Sequence, residues 1–177
     1  MTDHRWDVIS PAPLGPTILD PRAVCNLILD EVEAPIPNLD LQSLLYLAHG
    51  LHLRRTGGRP LVYGYFEAWE QGAVHPGIHQ DYEVGAGPVL HRALRVDIVT
   101  AQAFRLPTIE DRMVLEVVRS IVRSAGRLEG HQLQRLVQVP GGPWQHVVGS
   151  SGSVGRFRRK ITDALIQERY HHHRLVV

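Results

Sequence analysis

The sequence predicts a mainly α fold: a single compact multi-helix domain with one small extended element near residues 60–65. Two observations set the class. Apolar residues recur at helical spacing in several separate segments, and capping residues, Gly or Pro punctuate those segments. At 177 residues the chain has the length of one domain, and its 44% hydrophobic and 21% charged content is ordinary for a globular protein. A single cysteine, Cys25, excludes a disulfide framework and a cysteine-based zinc site.

Residues 1–17, with Pro11, Pro13, Gly15 and Pro16, read as a flexible N-terminal arm. The domain then occupies residues 18–171, and residues 172–177 form a C-terminal tail. Asp20 followed by Pro21 starts the first helix, whose apolar positions include Ala23, Val24, Leu27, Ile28 and Val32. Pro35 and Pro37 end it. A second helix starts near Asn38 or Asp40, and Leu41, Leu44, Leu45, Ala48 and Leu51 form its stripe. Tyr46 and Leu47 widen that stripe until the helix is apolar nearly all round, which places it at the centre of the core. Gly57-Gly58 closes it.

Residues 59–87 are irregular and aromatic. The expectation here is an extended piece over 60–65, a helical turn over 66–71 and a short helix over 76–84. The clearest helix follows, with Thr108 as its cap, Asp111 at the capping-box position, and Met113, Val114, Val117, Val118, Ile121 and Val122 in strict period. A short helix over 129–138 comes next. After a flexible link at 149–153, a last helix is expected over 155–170, with Phe157, Ile161, Ala164 and Leu165 inward.

Several function classes are disfavoured. The net charge of +1 argues against a surface built wholly for nucleic acid or an anionic membrane. No apolar run is long enough to cross a bilayer, and the start lacks a secretory layout, so the expected location is the cytoplasm. His49 with His52, and His75 with His79, have spacings that place two imidazoles on one helix face. A metal site needs further ligands, and none is expected. Cys25 falls on an apolar helix face and reads as packing. No nucleophile elbow, phosphate loop or identifiable acid and base pair appears among residues such as Glu67, Glu70, Asp81 and Glu83, so no catalytic residue and no cofactor are expected. Basic side chains cluster twice: Arg112, Arg119 and Arg123 on one solvent face, and Arg156, Arg158, Arg159 and Lys160 at the start of the last helix, an unfavourable place for cations.

Motifs in a fixed order carry a resemblance. Residues 41–53 read LQSLLYLAHGLHL, residues 56–61 TGGRPL and residues 66–76 FEAWEQGAVHP, with QLQRL at 132–136, PGGPW at 140–144 and ITDALI at 161–166. Together these resemble the Panacea domain of SocA-like antitoxins, also known as phage-associated proteins, over roughly residues 22–171. The matching positions, expected to be structural, are Gln42, His49, Gly50, Glu67, Trp69, Gly72, Pro76, Pro143 and Trp144. Ser43, Gln71, Ala73, Val137 and Gln138 depart from the family's usual residues, which puts a shared binding chemistry in question.

The resemblance implies a non-enzymatic antitoxin that binds a cognate toxin encoded by an adjacent gene. Neutralisation would come from blocking the toxin or from acting as an adaptor for its proteolysis by a AAA+ protease. Trp69 and Trp144 are expected to act as core wedges, and Glu67 as a buried acceptor of backbone amides. Tyr46 is expected half-buried with its hydroxyl at the surface. The expected contact residues are therefore Arg119, Arg123, Arg158 and Arg159, with Tyr46. A nucleic-acid-binding regulator using the cluster at 156–160 is the alternative, and a metal-dependent hydrolase a weaker one.

Overall fold

The computed structural model describes residues 18–83, 87–150 and 157–175. The expected arm at 1–17 lies outside them. Helix α1 spans Pro21–Glu31, with the Asp20 carboxylate accepting the Arg22 N–H and proline in the first turn. Helix α2 spans Asn38–Thr56 and ends at Gly57, whose φ of 70° suits only glycine without strain. Every residue from Leu41 to Leu53 in α2 is buried. The cause is enclosure from all sides: α1, the helices over Arg112–Ala125, Gly130–Val137 and Asp163–Arg169, and the strand Gly72–Val74 all pack on this helix.

The sheet is where the sequence expectation needs correcting. Strand β1 (Phe66–Trp69) and strand β2 (Gly72–Val74) form a hairpin where a helical turn was expected. Alternation explains it: Phe66 and Ala68 point into the core while Glu67 and Trp69 stay half-exposed. Residues 60–65 hold no strand, only an isolated bridge between Val62 and Leu19. Proline-led helix α3 (Pro76–His79) and a 3-10 turn (Gln80–Tyr82) follow. A second hairpin, β3 (Leu94–Val96) with β4 (Ala103–Arg105), lies in a stretch where periodicity predicted nothing.

Helix α4 (Arg112–Ala125) is capped by Asp111 rather than Thr108, its carboxylate accepting the Met113 and Val114 N–H groups at 2.8 and 3.2 Å. Val114, Val117, Val118 and Ile121 are buried as the stripe requires, but Met113 in the first turn is exposed. Helix α5 (Gly130–Val137) carries a capping box between Glu129 and Gln132, and helix α6 (Pro143–Gly149) was not foreseen.

The expected last helix over 155–170 starts too early. Strand β5 (Arg159–Ile161) pairs antiparallel with β1, giving the sheet order β2-β1-β5. Only then does Thr162 accept the Leu165 N–H and open helix α7 (Asp163–Arg169). Ile161 is buried as expected, but in a strand, and Ala164 faces solvent. A 3-10 turn over Tyr170–His173 buries Tyr170 and His173, so ordered packing continues into the expected tail. The fold is mainly α with added β elements.

Candidate partner-binding surface

The motif residues converge on the seams between α2, the sheet and the C-terminal helices. Gln42, fully buried, accepts the His75 N–H at 3.0 Å and donates to Asn38 Oδ1 at 3.2 Å. Asn38 in turn donates to the His79 carbonyl at 2.8 Å. This chain of bonds ties α2 to β2 and α3. His49 Nε2 lies 3.2 Å from Asp163 Oδ1 at the start of α7. At the next residue, a methyl group on Gly50 would stand 2.2 Å from the Tyr170 ring, whose hydroxyl donates to the Leu47 carbonyl at 2.6 Å. Glycine is required there because the aromatic ring lies directly against the helix backbone.

Trp69 is the hub of the sheet side. Its indole N–H donates to Glu67 Oε2 at 2.8 Å, and its carbonyl accepts the Trp144 indole N–H at 2.8 Å. Glu67 thus accepts from an indole and not from the backbone amides that were expected. The His79 ring centroid is 5.0 Å from that of Trp69. Above Trp69 sits the Arg158 guanidinium, 4.3 Å from the ring centroid, in cation–π geometry. Pro143, buried, opens α6, and Pro76 opens α3. Gly72, with φ of 142°, lies 3.7 Å from Val137 and 4.0 Å from Ser43 measured from where a Cβ would be. Two of the departures from the family pattern are therefore neighbours in the core, and Ala73 beside them is buried too. Those three act on packing. Gln71 is exposed, and Gln138 donates to the Glu70 carbonyl at 2.8 Å.

The expected contact residues divide into two pairs on different elements. Arg119 and Arg123 lie on α4. Arg119 is joined to Glu31 of α1 at 2.9 Å, and Arg123 donates to Ser120 Oγ at 3.3 Å. Arg158 and Arg159 lie at and beside the start of β5, exposed, with Lys160 5.2 Å from the Tyr65 ring centroid. Arg158 takes a φ of 60°, uncommon for a non-glycine residue, and its N–H donates to the Ala68 carbonyl at 2.6 Å. Because residues 158–160 belong to a strand approach and a strand, the argument from a helix N-terminus no longer applies to them. Arg156 lies outside the described residues.

Tyr46 requires a correction. It is wholly buried, edge-on to Phe66 and His173 at centroid distances of 5.5 and 5.7 Å, and cannot reach a partner at the surface. The histidines are engaged separately: His52 Nδ1 donates to the Arg59 carbonyl and His75 Nε2 to the Tyr63 carbonyl, both at 2.9 Å. Among the described residues no group of three His, Cys, Asp or Glu is placed to hold a metal ion. Cys25 is fully buried, and burial pushes its thiol well above the ordinary range. No helix among the described residues is long and apolar enough to cross a membrane.

Over 165 residues, 90% of this chain and 87% of the relative, the sequence is 36% identical to Antitoxin SocA of Caulobacter vibrioides (strain NA1000 / CB15N). The chain belongs to the SocA antitoxin family. No family model matches it, and no solved structure does. Within this SocA-family chain the quoted motif residues are mostly the ones that join elements: Gln42, His49, Gly50 and Trp69 each touch a segment distant in sequence. Sequence reasoning missed the β3–β4 hairpin, whose apolar side chains point outward; two three-residue strands are too short for alternation to register.

Proposed function

We propose that this chain is a non-enzymatic antitoxin: it binds a toxin protein encoded beside it and neutralises that toxin by direct contact. The observation that carries this reading is the 36% identity to Antitoxin SocA across 90% of the chain. Residues 18–171 would constitute a Panacea domain, supported by the ordered series of motifs. Arg123, Arg158 and Arg159 are the arginines we place at the contact, since their guanidinium groups suit bidentate pairing with carboxylates and dominate many interface hot spots. On binding, Arg119 exchanges its partner Glu31, Arg123 its bond to Ser120, and Arg158 its place over the Trp69 ring.

Co-expression with the product of the adjacent gene tests the reading. The expected outcome is rescue of growth and a complex that survives purification. Neither rescue nor complex would sink it. Toxin levels in the same cells separate the two modes: unchanged toxin means blocking, and loss that depends on a AAA+ protease means adaptor delivery.

A further inference from the structure

Arginines supply the rim of an interface, but a stable protein complex also needs an apolar anchor. Among the described residues that material is concentrated: six of the eleven exposed large apolar side chains fall between residues 90 and 104. Five of the six, from Leu94 to Phe104, belong to the β3–β4 hairpin. All of its strand residues are exposed, so it stands off the body instead of covering it. Leu94 and Val96 share one face with Arg105, while Arg95 lies opposite Phe104 on the other. At the apex Ile98 and Val99 are 97% and 88% exposed.

The hairpin is held at both ends. Asn26 of α1 brackets Ala93 at the root, donating to its carbonyl and accepting its N–H, each at 2.9 Å. Arg92 adds bonds of 2.8 Å to Asp30 and to the Leu29 carbonyl. At the apex, Asp97 Oδ1 accepts the N–H groups of Val99 and Thr100 at 2.9 Å, and Ala101 takes a φ of 56° to close the turn. Turns ordinarily use Gly, Asn, Asp or Pro. Here Asp97 shapes the turn, and the two residues it displays are β-branched and apolar, a choice from which the fold itself gains nothing.

Charge identifies the occupant. Asp97 is the sole acid in residues 90–105, and its carboxylate is taken up by the apex amides. Arg95 and Arg105 form no ion pair among the described residues. We propose that the β3–β4 hairpin is the anchoring finger for the toxin: Ile98 and Val99 enter an apolar cleft whose rim carries carboxylates for Arg95 and Arg105. This rests on the antitoxin reading above. Two such cations on a chain of net charge +1 attract an anionic bilayer weakly. The unpaired edges of a two-stranded ribbon, by contrast, suit pairing with another polypeptide.

The test uses the full-length chain, Ile98→Ser/Val99→Ser and Arg95→Glu/Arg105→Glu, each titrated against the purified product of the adjacent gene. Both variants should lose roughly tenfold or more in affinity while keeping the far-UV spectrum and melting temperature of the parent. In the parent complex, amides 94–105 should exchange hydrogen more slowly, a readout that needs no variant. Parent binding with both variants within about twofold of it, and unprotected hairpin amides, overturns the finger and leaves the antitoxin reading standing. No binding by the parent overturns that reading and the finger with it. Two further results would also overturn it: sedimentation with phosphatidylglycerol–phosphatidylcholine vesicles that Ile98→Ser/Val99→Ser abolishes, or a dimer of this chain that the same variant converts to monomer.

Discussion

Tyr46 carries a hydroxyl enclosed in the core with no hydrogen-bond partner among the described residues. Burial, reinforced by the nearby Tyr170, pushes its phenol well above the ordinary range, so the ring remains neutral throughout physiological pH. An unmet buried hydroxyl costs about 1–3 kcal/mol, whereas an apolar group of the same shape costs nothing of that kind. Tyr46→Phe should therefore leave stability unchanged or raise it by about 1 kcal/mol, which at this chain length moves the melting temperature up by about 2–4 °C. Affinity for the toxin should stay the same, because no atom of the ring reaches solvent. A clear fall in melting temperature would mean that the hydroxyl is bonded in solution. From sequence, Tyr46 stood at the margin of a wide apolar stripe and read as half-exposed. The periodicity of one helix cannot report how many neighbours will wrap it.

The seam between α2 and the C-terminal segment depends on Gly50. A β-carbon there would overlap the Tyr170 ring at 2.2 Å and press on Ile166 at 3.1 Å. Gly50→Ala gains helix propensity locally, but overpacking costs about 1–3 kcal/mol, and displacing Tyr170 also loosens its bond to Leu47. The expected result is a melting temperature lower by several degrees, with the loss concentrated in exchange protection of α7. Gly149→Ala, at a helix end with nothing within 4 Å among the described residues, is the matched control and should be near neutral. The same seam shows what could be read from sequence. The α2 helix and its Gly57 stop, the Asp20 cap of α1 and the buried face of α4 follow from period and capping, which are local signals. The β1–β5 pairing does not, because Phe66 and Ile161 are 95 positions apart in the chain. Apolar periodicity, with Phe157, Ile161 and Leu165 inward, therefore places residues 158–160 in the last helix, whereas pairing with β1 makes Arg159–Ile161 a strand. At the candidate surface, the arginines were legible as exposed cations. The hairpin was not, since two three-residue strands are too short for alternation to register.

Across the whole molecule, buried histidines set the response to acid. His173 donates from Nδ1 to the Leu136 carbonyl at 2.8 Å, while Nε2 has no partner among the described residues. A proton added at Nε2 would be buried without an acceptor, and burial accordingly lowers the His173 pKa to about 4. Burial also lowers His75 and His52, each of which spends one ring N–H on a backbone carbonyl. In the unfolded chain all three return to about 6.5. Below that pH the unfolded state binds more protons than the folded one, so stability present at pH 7.5 is lost as the pH falls through 6.5, and for His173 the loss continues to about pH 4. Between pH 7.5 and 5.0 His173 alone accounts for about 2 kcal/mol. Asp40, whose carboxyl burial raises, has the opposite sign, but acts only near the carboxylate range. Urea unfolding midpoints at the two pH values should show the drop, and His173→Gln, which keeps a donor without a titrating ring, should reduce the slope. Equal midpoints at pH 7.5 and 5.0 would show that these imidazoles reach water in the folded protein and that the core around Tyr46 and His173 is not closed.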